Sequence, residues 1–253
     1  MSTSRLALIT GATSGIGQAT AELLAQHNFR LIICGRRKDR LKAVTASLSK
    51  ITEVLSLAFD VRDRAAVSQS IQSLPNDWKN IDVLINNAGN AHGMAPIHSG
   101  DVDDWDAMMD INVKGLLYVS REITPGMTER KSGHVINIGS IAGKEVYPNG
   151  NVYCGSKFAV DAITNGMRMD LNPFGIKVTG IHPGLVETEF SLVRFKGDQE
   201  RASKIYQGIT PLTGKDIADL ILFIVTRPPH VVVADMIVFP TAQASATMVK
   251  RDH

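Results

Sequence analysis

The sequence predicts a doubly wound α/β fold: a seven-stranded parallel sheet in a three-layer sandwich, with helices on both faces. Three observations predict it. Strand-length apolar runs alternate with segments of helical spacing along the chain, several of those runs are apolar at successive positions, and a glycine-rich loop joins the first strand to the first helix. Unbroken apolar runs mark strands covered on both faces, and regular strand-helix alternation marks parallel crossover units.

Strands are expected at 6–9, 31–34, 54–59, 83–85, 134–138, 177–181 and 231–239, in the spatial order 3-2-1-4-5-6-7. Helices are expected at 16–26, 38–49, 64–74, 105–130, 153–171 and 215–226. The last is announced by Thr213, three residues before Asp216 and ahead of an apolar run from Ile217, the arrangement of a capping box. Residues 187–210 interrupt the alternation with mixed charge and weak periodicity. An insertion after a strand's carboxyl end lies where such sheets bind ligands, so it is read as a substrate lid on one dinucleotide-binding catalytic domain spanning 1–253. A purely structural surface excursion is the alternative.

Composition narrows the function classes. The chain is 44% hydrophobic and 21% charged, which excludes a disordered segment, and its 27 basic and 25 acidic residues leave a net charge of +2, too small to suggest a nucleic-acid binder. Two cysteines, Cys34 and Cys154, form neither a disulfide framework nor a zinc set. The amino-terminal apolar run is too short for a secretion signal, and no run is long enough to span a membrane. A cytoplasmic location and no membrane partner are the expectations.

The glycine loop, Thr10-Gly11-Ala12-Thr13-Ser14-Gly15-Ile16-Gly17, leaves the first strand and opens a helix. Glycines remove side chains from a tight turn, and the helix terminus then aims free N–H groups at a pyrophosphate. The second strand ends in Cys34-Gly35-Arg36-Arg37 with no acidic residue at 34–37. A carboxylate there would receive the ribose of NAD, whereas Arg36, helped by Arg37 and the hydroxyls of Thr13 or Ser14, suits the 2′-phosphate of NADP. Asp60-Val61 closes the third strand, where the carboxylate can accept from the adenine amino group. Asn86-Asn87-Ala88-Gly89 leaves the fourth, its small residues allowing close approach and its asparagines bracing loops. Taken singly, these are also a bland turn, a solvated arginine pair and two strand ends.

Tyr153 and Lys157 stand four apart in a helical segment, sharing a face with Cβ atoms roughly 6 Å apart. An ammonium at that distance favours a phenolate and is expected to lower the tyrosine pKa. Ser140 adds a hydroxyl just past the fifth strand. His92, His98, His134 and His182 are scattered without ligand spacing, so no metal is expected.

With these pieces in place, the chain resembles the classical short-chain dehydrogenase/reductase family over essentially its whole length. The matching residues are the glycine loop, Asn86-Asn87-Ala88-Gly89, Asn112, Ser140, Tyr153 with Lys157, and Pro183-Gly184. The resemblance implies Tyr153 as general acid/base, Lys157 on the nicotinamide ribose, Ser140 on the substrate oxygen and Asn112 on a relay water. It further implies that Thr188 meets the nicotinamide amide, with Val186 nearby through its backbone, and that the long helices at 112–130 and 153–171 pack across two-fold axes in a homotetramer or, failing that, a dimer.

A sharper resemblance lies in Glu187-Thr188-Glu189-Phe190-Ser191-Leu192-Val193-Arg194-Phe195-Lys196-Gly197-Asp198, in Tyr206, and in Thr226-Arg227-Pro228-Pro229-His230-Val231. It is similar to the branch of NADP-dependent 3-hydroxy acid dehydrogenases that includes serine 3-dehydrogenase and L-allo-threonine dehydrogenase. Serine, allo-threonine, 3-hydroxypropionate or a similar acid is the implied substrate. Arg194 is the candidate carboxylate anchor, because a guanidinium grips both oxygens. Two other readings stay open: an NADPH-dependent reductase of another small ketone, diketone or sugar carbonyl, and a nucleotide-sensing interaction protein, against which intact Ser140, Tyr153 and Lys157 argue.

Overall fold

The computed structural model describes residues 4–252; residues 1–3 and 253, the ends of the expected domain, lie outside the described residues. The first six strands are β1 (Arg5–Thr10), β2 (Phe29–Cys34), β3 (Val54–Leu57), β4 (Val83–Asn86), β5 (His134–Ile138) and β6 (Lys177–Pro183). A small ribbon of β7 (Val186–Glu187) and β8 (Leu212–Thr213) follows, and β9 (Asp235–Val238) completes the main sheet. The order is β3-β2-β1-β4-β5-β6-β9, with every pairing parallel, so the expected topology holds with β9 as seventh strand.

Strand alternation sorts the core into two layers. Ala7 and Ile9 of β1 face a cluster with α1 (Gly15–Gln26), α2 (Lys38–Leu48) and α9 (Gly214–Val225). Leu6 and Leu8 face the opposite cluster, which contains Val67 of α3 (Arg64–Gln72) and Val119 of α5 (Leu116–Arg130), with Met167 of α6 (Asn151–Leu171) against it. Each fully buried Leu or Ile contributes about 1.5 to 3 kcal/mol, so the apolar strands are held by both layers. Because β1 lies between β2 and β4, the chain reverses direction across the sheet there, and a crevice opens at the carboxyl ends of β1 and β4.

The structure departs from the sequence expectations in four places. Residues 231–234 do not join the last strand: the Val233 carbonyl accepts from the Thr179 hydroxyl at 2.7 Å, and the Ala234 carbonyl accepts from Gly180 N at 3.1 Å. β3 ends at Leu57, whose carbonyl accepts from Gly35 N at 3.2 Å as the chain turns away, so Asp60-Val61 lies beyond the strand. The helix expected at 105–130 starts earlier, with α4 (Val102–Met109) capped by the Asp101 carboxylate, and carries a π turn at Asp110–Gly115 before α5. Residues 187–210 are not irregular: they hold α7 (Phe190–Arg194) and α8 (Gln199–Lys204), with the β7–β8 ribbon clipping the ends of the excursion together. The Thr213–Asp216 capping box is present at the start of α9.

Candidate active site

The crevice is a cavity of 580 Å³ at the carboxyl edge of the sheet. Its floor depends on glycines. Gly11 has φ 65°, and a Cβ there would fall 2.9 Å from Asn87 Nδ2; Gly15 has φ 55°, and a Cβ would meet Thr188 at 3.1 Å. On Gly17, a Cβ would strike the Gly11 carbonyl at 2.5 Å. Asn87 braces this loop by donating from Nδ2 to the Thr10 and Gly11 carbonyls, while the backbone amides of Asn87 and Ala88 both donate to Thr10 Oγ1. The first turn of α1 carries no acidic side chain and Ser14 makes no side-chain cap, so the leading N–H groups and their partial positive charge face the cavity. That donor set, with small residues all around it, fits a dinucleotide pyrophosphate.

Both arginines after β2 line the cavity, but in different surroundings. Arg37 Nη2 donates to Thr13 Oγ1 at 3.2 Å and Ser14 Oγ at 2.9 Å. Arg36 is half exposed and lies 3.7 Å from Asp60, which is bound more closely by Arg62 at 2.7 Å. The guanidinium that joins the two hydroxyls is therefore Arg37, where the sequence reading put Arg36 first. Burial alone would raise the Asp60 carboxyl, but hydrogen bonds from Arg62 and the charge of Arg36 outweigh it and hold the group below the usual range. Val61 is buried beside the π turn, where a Cβ on Gly115 would meet it at 2.7 Å.

At the other end, Ser140 caps a 3-10 turn immediately after β5, its hydroxyl accepting from Ala142 N at 3.1 Å. Tyr153 and Lys157 share one face of α6 and are both buried. Lys157 Nζ donates to the Ile138 carbonyl at 3.0 Å, and burial pushes its pKa down to about 8. Burial pushes the Tyr153 phenol upward and neighbouring Tyr147 adds to this, against the Ser140 hydroxyl and the charge of Arg194. The lowering expected from Lys157 is not realised in this arrangement, where Nζ is turned to the Ile138 carbonyl.

Asn112 sits in the π turn with both side-chain N–H groups engaged. Oδ1 accepts from Asn90 N at 2.9 Å, while Nδ2 donates to the Asn90 carbonyl at 2.8 Å and Ser156 Oγ at 3.0 Å. A Cβ on Gly89 would lie 3.0 Å from Asn112 Oδ1 and 3.5 Å from Lys157 Nζ, so this strand end reaches the catalytic face. Pro183 and Gly184 line the cavity after β6, and Gly184 N donates to the Val238 carbonyl at 2.7 Å. Val186 pairs in the β7–β8 ribbon and accepts from the Tyr206 hydroxyl at 2.9 Å. Thr188 packs on Gly15 and accepts from Phe190 N at 3.2 Å.

Arg194 enters the same cavity from α7. Its guanidinium carbon lies 5.4 Å from the Tyr153 ring centre and 5.6 Å from that of Tyr147; Nη2 donates to the Tyr147 hydroxyl at 3.0 Å and Nε to the Gly93 carbonyl at 3.2 Å. Gly93 N returns a bond to the Arg194 carbonyl at 2.9 Å. Phe190 closes the other side, 5.6 Å from the Tyr153 ring.

Several residues of this site carried no sequence signal. Tyr147 lies in an irregular turn, and Gln243 reaches the cavity from the far end of the chain, accepting from Leu185 N at 2.8 Å. Arg40 lies on the exposed face of α2 and bonds to Glu189. The histidines also look less scattered in space: His182 lies 2.6 Å from Asp235 and 3.6 Å from Asp161. The Lys144 ammonium stands 2.8 Å from both carboxylates and supplies that cluster's positive charge.

The family described as short chain dehydrogenase matches residues 5–198. The chain is 45% identical over 242 residues to the NADP-dependent 3-hydroxy acid dehydrogenase YdfG of Salmonella typhi, spanning 95% of this chain and 97% of that one. It is 41% identical over 239 residues to the serine 3-dehydrogenase of Rhizobium radiobacter, spanning 94% and 95%. Among solved structures, the closed form of serine dehydrogenase complexed with NADP+ superposes with a TM-score of 0.92 at 42% identity, covering 98% of this chain and 100% of that one.

Proposed function

The chain belongs to the short chain dehydrogenase family, and on that premise we propose that it is an NADP-dependent oxidoreductase interconverting a small 3-hydroxy acid, such as serine, allo-threonine or 3-hydroxypropionate, with its 3-oxo acid. The names of the relatives above support both halves of this reading. The observation that carries the acid is Arg194: a guanidinium stands over the ring of Tyr153, so a carboxylate gripped there leaves its β-hydroxyl beside the phenol.

In this reading Gly11, Gly15, Ile16 and Gly17 cradle the pyrophosphate, and Arg37, Arg36, Thr13 and Ser14 hold the 2′-phosphate. Asp60 and Val61 flank the adenine. Asn87, Ala88 and Gly89 wall the central groove, while Pro183, Gly184, Val186 and Thr188 line the nicotinamide end. Bound NADP supplies acceptance and return of a hydride. Tyr153 takes the proton of the substrate hydroxyl during oxidation and returns it during reduction, while Ser140 donates a hydrogen bond to the same oxygen. Lys157, protonated below about pH 8, places positive charge under this exchange and reaches the ribose. Both side-chain N–H groups of Asn112 are spent on Asn90 and Ser156, so Asn112 meets a relay water as an acceptor.

Residues 187–210 act as the lid. A panel of 3-hydroxy acids and neutral secondary alcohols, followed by NADPH absorbance with NADP+ and NAD+ in parallel, tests the assignment. The acids are expected to turn over best and with NADP+. Neutral alcohols turning over equally well defeats the substrate reading, and equal use of NAD+ defeats the cofactor reading.

The assembly we propose is a homotetramer. Leu117, Phe158 and Met169 are exposed on α5 and α6, whereas Leu116 and Val119 point into the subunit, so the apolar stripe divides into an inner and an outer face. Gly155 and Gly166 have open space beside them on α6, which allows a second helix to approach closely. Sedimentation at micromolar concentration is expected to give a tetramer; a monomer alone rejects it. Among the described residues no helix is long and apolar enough to cross a membrane, and both cysteines are free and buried, which supports a reducing, cytoplasmic setting.

A further inference from the structure

The phosphate end of the cavity already contains an anion. Glu189, the residue between Thr188 and the first turn of α7, places Oε2 2.8 Å from Arg37 Nη1 and gives Oε1 to Arg40. The same Arg37 turns its other nitrogen, Nη2, to the hydroxyls of Thr13 and Ser14. The guanidinium that would receive a 2′-phosphate is thus shared, across 152 positions of sequence, with a carboxylate carried by the lid. Hydrogen bonds from Arg37 and then Arg40 hold the Glu189 carboxyl below its ordinary range, so it is ionised at neutral pH.

We propose that Glu189 is a cofactor-specificity residue whose carboxylate competes with the adenosine 2′-phosphate for Arg37. The proposal rests on the NADP reading given above and adds a residue that opposes it. A site selective for NAD keeps a carboxylate at the end of the second strand; positions 34–37 have none, and the negative charge is supplied instead from the lid. A phosphate monoester carries a charge of about −1.5 to −2 at neutral pH. Settling against Arg37 Nη2, Thr13 and Ser14, it comes within one guanidinium width of Glu189.

The sign of the effect does not depend on how Glu189 responds. Where the carboxylate stays on Arg37, two anions repel across a short distance; where it swings away, its bond to Arg37 is lost. Both reduce the net gain from the phosphate, and NAD+ meets neither. Arg40 keeps its hold on the second carboxylate oxygen, so the lid stays tethered while Arg37 is handed over. Asp60, the other acid lining the cavity here, is already matched by Arg62 and Arg36. Both partners of the Glu189–Arg37 pair are more than one-third exposed, which keeps the effect moderate and sensitive to salt.

Binding of NADP+ and NAD+ to the full-length enzyme and to its Glu189→Gln variant, by calorimetry at low and high salt, tests the competition. Glutamine keeps the shape and removes the charge. The variant is expected to bind NADP+ about fivefold tighter and NAD+ within about twofold of the unmodified enzyme, with the NADP+ gain shrinking at high salt. Unchanged or weakened NADP+ binding overturns the competition, as does an equal gain for both cofactors, which would report a loosened lid. Equal binding of the two cofactors by both the unmodified enzyme and the variant overturns the NADP reading and the competition with it; a clear NADP+ preference without a gain in the variant overturns the competition alone.

Discussion

Tyr153→Phe is expected to fold, to bind NADP+ as the unmodified enzyme does, and to lose turnover by about 10²-fold or more. The substitution removes one oxygen from a ring that stays packed against Phe190 and under Arg194, so the cavity keeps its shape. What disappears is the group proposed to exchange a proton with the substrate hydroxyl. In this arrangement burial keeps the phenol protonated, which prepares it to donate in the reducing direction; oxidation first requires the proton to leave. Ser140 and Lys157 remain and can still polarise the oxygen, which is why a residual rate is expected. Steady-state rates together with cofactor calorimetry measure both parts. Turnover within a few fold of the unmodified enzyme would remove Tyr153 from acid/base chemistry.

The second large effect is expected at Arg194. Arg194→Ala should lower kcat/KM for a 3-hydroxy acid by about 2 to 5 kcal/mol, the scale for truncating one partner of a desolvated charge pair, and barely change turnover of the matching neutral alcohol. The guanidinium has five N–H donors, of which the structure engages one on Gly93 and one on Tyr147, leaving donors for a carboxylate. The same two contacts make a structural contribution, because Arg194 and Gly93 bond to each other in both directions and join the lid to the loop after β4. The neutral alcohol separates the two contributions. If both substrates weaken equally, Arg194 holds the lid and not the acid. Arg194→Lys sharpens the test: it retains charge without the two-pronged grip and is expected to fall between the other two.

The sheet was legible because its strands are buried on both faces. Leu31 to Cys34 and Val83 to Ile85 are buried throughout in the structure, and an unbroken apolar run is the trace such a strand leaves. The catalytic face was legible for a different reason: Tyr153 and Lys157 are separated by one helical turn, so local spacing encodes their proximity. Glu189 and Arg37 are also neighbours, but no local period connects them, and a lid carboxylate reads as a solvated charge until the fold returns it to β2. Which arginine meets Thr13 is hidden on the same ground, since adjacent residues at a strand end point in different directions. The lid helices α7 and α8 are too short to show a period, and the β7–β8 ribbon consists of two pairs. The tyrosine pKa depended on burial, which spacing does not report.

The π turn at Asp110–Gly115 places a constraint on chain length as well as on residue type. A residue added to or removed from an α-helix rotates everything beyond it by about 100°. Between Asp101 and Arg130 the wide turn absorbs one such rotation, so Met108 of α4 meets the cluster around Tyr153 and Ala142, while Val119, Ile123 and Met127 of α5 meet the sheet. Shortening the turn to a regular helix would leave one of those two faces out of phase, and Asn112 would leave the level of Asn90 and Ser156. Substitutions here can be compensated by neighbouring side chains, whereas a single-residue deletion has no local remedy: the segment's length is itself part of the active site.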